Sequence, residues 1–166
     1  MRTHSLSLVS SFVMVALAGG HALAESDGKT NAGAACLAAA GSAKDIARQV
    51  DGRADNDQPR TATFICPVEA DIGGGRISSA SVTFRDGSTT DSVRCVLSKR
   101  SRTTGGLDFN TVASSVPNVE TQTLFFSGGV GDVDGVDSYY LMTCQVPGVD
   151  DGARSSVFSH KWIEQG

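Results

Sequence analysis

Apolar residues recur at every second position over much of the chain. Residues 61–68 place Ala62, Phe64, Cys66 and Val68 on one face, and residues 77–85 place Ala80, Val82 and Phe84 together. Residues 92–98 follow with Val93, Cys95 and Leu97, residues 120–126 with Leu124 and Phe126, and residues 139–146 with Tyr140, Met142, Cys144 and Val146. A period of two puts such residues on one side of a pleated strand. Residues 155–163 (SSVFSHKWI) make a last strand, and a short one is expected around 109–112. Turn formers separate these runs: Gly73-Gly74-Gly75, Asp86-Gly87 and Pro147-Gly148. Six to seven short strands between Gly/Asp turns predict an all-β fold. A single antiparallel β-sandwich, immunoglobulin-like or jelly-roll-like, accommodates them best.

The N-terminal part is less regular. Residues 25–35 (ESDGKTNAGAA) are small and polar and are expected to form a flexible N-terminus. Residues 36–50 read as an irregular lead-in fixed by Cys36, with a short strand at 45–50. Residues 51–60 (DGRADNDQPR) are dense in turn formers and are expected to be a loop. The sandwich domain is assigned to residues 36–166.

Residues 1–24 change the picture of where this domain works. Arg2 precedes a mostly apolar run at 6–18, and Ala22-Leu23-Ala24 follows. A charged start, an apolar centre and an A-x-A end make a secretory signal peptide. The rival, a transmembrane anchor, is disfavoured because the run is shorter than the roughly 20 residues a spanning helix needs. The expected product is exported, periplasmic or secreted, with no membrane span after cleavage. The full chain carries a formal net charge of −4, and loss of Arg2 makes it −5. A mildly acidic chain of this kind is not a general nucleic-acid binder.

All four cysteines, Cys36, Cys66, Cys95 and Cys144, lie beyond the leader. An even count in an exported chain implies two disulfides. The spacing lacks the close C-x-x-C pair of a zinc site. Three connectivities exist, and Cys36–Cys66 with Cys95–Cys144 is favoured. The second pair would join two strands that both carry their cysteine inward.

Several stretches carry a resemblance. They are residues 52–56 (GRADN) ahead of Ile65-Cys66-Pro67-Val68, then Val82-x-Phe84, Arg94-Cys95-Val96-Leu97, Tyr140-x-Met142-x-Cys144-x-Val146-Pro147 and residues 154–159 (RSSVFS). Together they resemble a group of small exported bacterial β-proteins over roughly residues 36–164. The resemblance implies the fold and the compartment and brings no activity. This chain departs from that pattern at His160, where the group has tyrosine. The resemblance puts His160 on the face of Phe158 and Trp162.

Candidate chemistry is sparse. His160 is the one histidine beyond the leader, so any Ser-His-Asp or Cys-His scheme must use it. Its mid-strand position favours a core role. No G-x-S-x-G elbow occurs. Residues 131–138 (GDVDGVDS) gather Asp132, Asp134 and Asp137, which can hold Ca²⁺ if their carboxylates converge. An acidic hairpin loop is the commoner reason for such a cluster, and no cofactor is required. Arg94, Lys99, Arg100 and Arg102 form a basic run near Cys95 that can meet an acidic polysaccharide or serve as a solvated strand end. Glu69 and Asp71 have the look of paired glycosidase acids, but nothing sets them across a cleft. Tyr139 points opposite Tyr140, outward, where a tyrosine can stack on a sugar or seat a partner.

The expected protein is therefore a non-enzymatic, exported, disulfide-stabilised β-sandwich with a binding or structural role toward a protein or glycan outside the cytoplasm. An inhibitor of another exported protein is the narrower alternative. A small hydrolase or lyase acting on extracellular polymers is the rival class.

Overall fold

The alternating stretches become strands whose apolar sides face one another. The computed structural model describes residues 26–41, 46–48, 51–69, 76–126 and 138–165. It is an antiparallel β-sandwich of two sheets.

The first sheet has β11 (Ser155–Gln165) at its centre. One edge of β11 pairs with β6 (Arg76–Arg85), which pairs in turn with β9 (Thr121–Phe126). The other edge is shared. β4 (Ala54–Asn56) takes residues 155–157 and carries β3 (Ile46–Arg48) outside it, while β1 (Ser26–Ala32) takes residues 159–165. The second sheet runs β2 (Leu37–Ala38), β5 (Ala62–Val68), β10 (Ser138–Val146), β7 (Arg94–Ser101) and β8 (Leu107–Ser114). Its three central strands are the three cysteine strands.

The core lies between the sheets. Phe64, Leu97, Met142 and Val146 from the second sheet and Ile77, Val82 and Phe84 from the first are fully buried. Each removes enough apolar surface to contribute roughly 1.5–3 kcal/mol. Both disulfides belong to the second sheet. Cys95 and Cys144 are direct register partners on β7 and β10, and Cys36, just before β2, bonds Cys66 on β5. These are the pairs favoured from sequence. Two turns depend on glycine because backbones touch there. A Cβ on Gly148 would lie 2.4 Å from the Pro59 carbonyl carbon, and one on Gly87 2.5 Å from that of Arg154.

The N-terminal part differs from expectation. Ser26–Ala32, inside the segment expected to be a flexible N-terminus, is a seven-residue strand. Its inward residues are Asp27, Lys29 and Asn31, so no apolar alternation marks it. The 51–60 loop contains β4, and β7 runs to Ser101, into the expected loop after residue 98. β2 and β4 are two and three residues long, too short to leave a period, whereas β3 is the short strand expected at 45–50. With β1, β2 and β4 added the strands number more than six or seven. β11 also departs from plain alternation. Val157 pairs with Phe84 and Ser159 with Thr83, which leaves Phe158 as the extra, half-buried residue of a bulge. Among the described residues no helix is long and apolar enough to cross a membrane.

Candidate functional site

β11 carries different chemistry on its two faces. Inward it presents His160, Trp162 and Glu164, all buried. The His160 Nε2–H donates to the Pro67 carbonyl at 2.8 Å. A carbonyl can only accept, so Nδ1 is the unprotonated nitrogen of the neutral ring. It lies 3.9 Å from the Cys36 sulfur. The ring stacks on Trp162 with centroids 5.7 Å apart. Burial lowers the His160 pKa, opposed by the bond to Pro67. With no exposed surface, His160 has no route to a substrate. The core role expected from its position is the one it occupies.

Next to it Glu164 is wholly enclosed and still charged-partnered. Its Oε1 accepts from Lys29 Nζ at 3.0 Å and from Trp162 Nε1 at 3.2 Å. Trp162 Nε1 and Lys29 Nζ also reach the Glu69 carbonyl, at 3.1 and 3.4 Å. Tyr140 closes the group. Burial raises its hydroxyl pKa, a hydrogen bond with the Ile77 backbone lowers it, and the Glu164 charge raises it further. Sequence reasoning missed this cluster. Its one trace was a glutamate at an inward position of a strand, Glu164, with Lys29 far away in the chain.

Two other buried polar groups explain motifs read from sequence. Asn56 Nδ2 donates to the carbonyls of Arg60, Val146 and Pro147, at 2.8, 3.0 and 3.0 Å. The GRADN stretch is thereby a clamp on the end of β10. Asp86 Oδ2 accepts from Ser115 Oγ at 3.0 Å and the Val93 amide at 3.3 Å, and Oδ1 from the Ser88 amide at 3.1 Å. It holds the connection between β6 and β7 against the end of β8. Both groups are spent on structure.

Outward, β11 and its neighbours form the candidate binding site. Register aligns Phe125 of β9, Ser81 of β6, Lys161 of β11 and Thr30 of β1 in one row across the first sheet. The next row places Ser79 beside Ile163. Phe125, Ser81, Ser79, Lys161 and Ile163 line a cavity of about 360 Å³ open to solvent, completed by Ala80, Phe126 and Trp162. Phe125 is 73 % exposed, the most exposed large apolar side chain among the described residues. The cavity surface is mostly apolar, with Phe125 as its aromatic wall, and the polar atoms of Ser79, Ser81 and Lys161 make up only a small part of it. Sequence reasoning passed over Phe125, because the pair Phe125-Phe126 hides which ring points out; the inward assignment of Leu124 and Phe126 was the clue.

The remaining sequence candidates fall partly outside the described residues. Asp132, Asp134, Asp137 and Asp71 lie outside the described residues. The Glu69 side chain is exposed and its backbone carbonyl is what the core uses. The basic run is broken by strand alternation. Lys99 is buried, whereas Arg94 and Arg100 point outward from β7 about 20 Å apart. Arg100 Nη1 donates to the Gly105 carbonyl at 3.2 Å. Tyr139 is outward as expected, 38 % exposed, beside Arg100.

No protein-family model and no curated protein matches the chain. Solved structures do resemble it. A family two carbohydrate esterase from Cellvibrio japonicus superposes with a TM-score of 0.51 at 7% identity, over 86% of this chain and 36% of that one. The chain thus spans about a third of the esterase's length. CBM86, a low-affinity xylan-binding module from Roseburia intestinalis, gives a TM-score of 0.48 at 11% identity, over 84% of this chain and 96% of that one. TmCBM61, solved with β-1,4-galactotriose, gives 0.46 at 9% identity, over 84% of this chain and 88% of that one. At these identities the likeness is one of fold.

Proposed function

We propose that the chain is an exported, non-catalytic binding module and that the groove at Phe125 receives a glycan. One observation carries the reading: a 73 % exposed phenylalanine forms a wall of a solvent-open cavity of about 360 Å³. Burying that ring is worth roughly 2 kcal/mol to whatever covers it. A sugar ring suits the place. Its C–H face packs on an aromatic ring, and its hydroxyls meet Ser79, Ser81 and the Lys161 ammonium along the same rows. The volume matches ligand sites of about 300–1,000 Å³. Export and the two disulfides fit a module that works on polymers outside the cytoplasm. Probing an array of plant, microbial and animal glycans with residues 25–166 and with its Phe125→Ala form tests this. Retention of one glycan class by the parent and its loss in the variant is expected; equal retention by both sinks the groove.

A second reading has its own observation. Leu37, Ile65, Thr143, Val96 and Val112 form one row across the outside of the second sheet. Leu37 is 53 % and Val112 46 % exposed. That row suits a protein partner, as an inhibitor would have. In this reading Val112→Lys abolishes binding and Phe125→Ala does not.

A further inference from the structure

The Cys36–Cys66 disulfide and His160 bring three potential ligand atoms, both sulfurs and a ring nitrogen, within 4.8 Å of one another in a fully buried place. The ring is already set as a ligand requires. Nε2–H is held by the Pro67 carbonyl, and the unprotonated Nδ1 faces the Cys36 sulfur at 3.9 Å. A histidine that donates its far N–H to a backbone carbonyl is the usual arrangement in metal sites, because the bond fixes tautomer and ring angle. Trp162 stacked on the ring fixes its plane as well.

Cys36 is also the more openable half of the bond. It lies between a single 3-10 turn, Gly33–Ala35, and β2, a two-residue strand at the edge of its sheet. Parting two register pairs, Leu37 with Ile65 and Ala38 with Phe64, and the backbone bonds from Ala34 to Gly52 and from Ala39 to Thr63 frees that segment while β5, β10 and β7 stay paired.

We propose that Cys36, Cys66 and His160 form a Cu(I) site when a thiol reductant opens the disulfide. A dithiol gives two electrons and two protons. The Cys36–Cys66 bond breaks, two thiols form, and the reductant leaves as its own disulfide. Cu(I) then binds the two thiolates and Nδ1, two protons are released, and copper keeps its oxidation state. Thiolate ligands select Cu(I), and a dry set of three ligands suits it better than Zn²⁺, which takes four.

The test uses the Cys95→Ala/Cys144→Ala protein, in which only this pair can be reduced. After anaerobic reduction and removal of the dithiol, Cu(I) is offered from a chromogenic chelator. One Cu(I) per chain should transfer to the reduced protein and none to the oxidised one. His160→Gln should weaken retention at least tenfold, and X-ray absorption should report two sulfurs and one nitrogen. If the double variant does not fold by near-ultraviolet dichroism of Trp162, reduced wild-type protein is compared with Cys36→Ser and Cys95→Ser, and only Cys36→Ser should lose the metal. A reduced, folded protein that takes no Cu(I) overturns the proposal. So does retention unchanged by His160→Gln, copper bound equally with the disulfide intact, or preference for Zn²⁺.

Discussion

The two sheets are held by different means. The second sheet has covalent staples: both disulfides lie within it, one across β7 and β10 and one beside β2 and β5. The first sheet has no cysteine among its described strands and adds, to its share of the apolar core, buried polar groups that find partners. Glu164 binds Lys29 and Trp162, which ties β1 to β11, and Asn56 on β4 holds the carbonyls at the end of β10. A staple holds two strands whatever surrounds it. A buried charge holds only while its partner is in place, because removing one member strands the other in a dry site. The two sheets should therefore fail in different ways.

The largest loss is expected in the stapled sheet. Replacing Cys95 and Cys144 by alanine opens a loop with a sequence separation of 49. The chain-entropy relation gives a cost of about 4 kcal/mol, read as a lower urea midpoint, with hydrogen-exchange protection falling first in β7 and β10. Lys29→Met comes next, at about 3 kcal/mol, since it leaves the Glu164 carboxylate enclosed without its cation. Lys29→Met with Glu164→Leu should recover most of that loss. If the double variant is as weak as the single one, pairing is not what matters. Asn56→Ala removes the donor to three carbonyls and should cost about 2 kcal/mol, measured the same way.

A pH series separates the sheets without mutating either disulfide. Burial lowers the His160 pKa in the folded chain. Below the ordinary histidine value of about 6.5 the unfolded chain takes a proton that the folded chain refuses. The stability His160 brings is thus complete above that pH and shrinks as pH falls toward the folded pKa, by up to about 1.4 kcal/mol per unit. His160→Gln should flatten this slope between pH 6.5 and 5. An unchanged slope would mean that another group sets it. The smallest effect on stability is expected at the groove. Phe125→Ala should change the unfolding free energy by less than about 0.5 kcal/mol, because the ring is mostly in water already.

What could be read from sequence follows apolar alternation, not the sheet. β5, β7 and β10 of the second sheet, like β6, β9 and β11 of the first, were legible because pairs such as Phe64-x-Cys66, Val82-x-Phe84 and Met142-x-Cys144 put apolar side chains on one face, while β2 was too short to show it. β1 was not legible, because its inward residues are Asp27, Lys29 and Asn31, and only Glu164, more than a hundred residues on, makes Lys29 an inward residue. β4 was hidden for a similar reason. Its three residues are all buried, yet Asp55 and Asn56 look like turn formers until the carbonyls of β10 are brought to them. Of the groove, the sequence placed Phe126 inward, which leaves Phe125 outward. It could not place Phe125, Ser81 and Lys161 side by side, since strand order in a sheet is a long-range property.

The most direct measurement maps the ligand onto backbone amides. Isotope-labelled residues 25–166 would be titrated with an oligosaccharide of the class retained on the array, and amide shifts followed by NMR. Shifts centred on Ser79, Ser81, Phe125, Lys161 and Ile163, abolished in Phe125→Ala, are expected. Shifts confined to the outer row of Leu37, Ile65, Val96 and Val112, or none at saturating sugar, would contradict the groove as the glycan site.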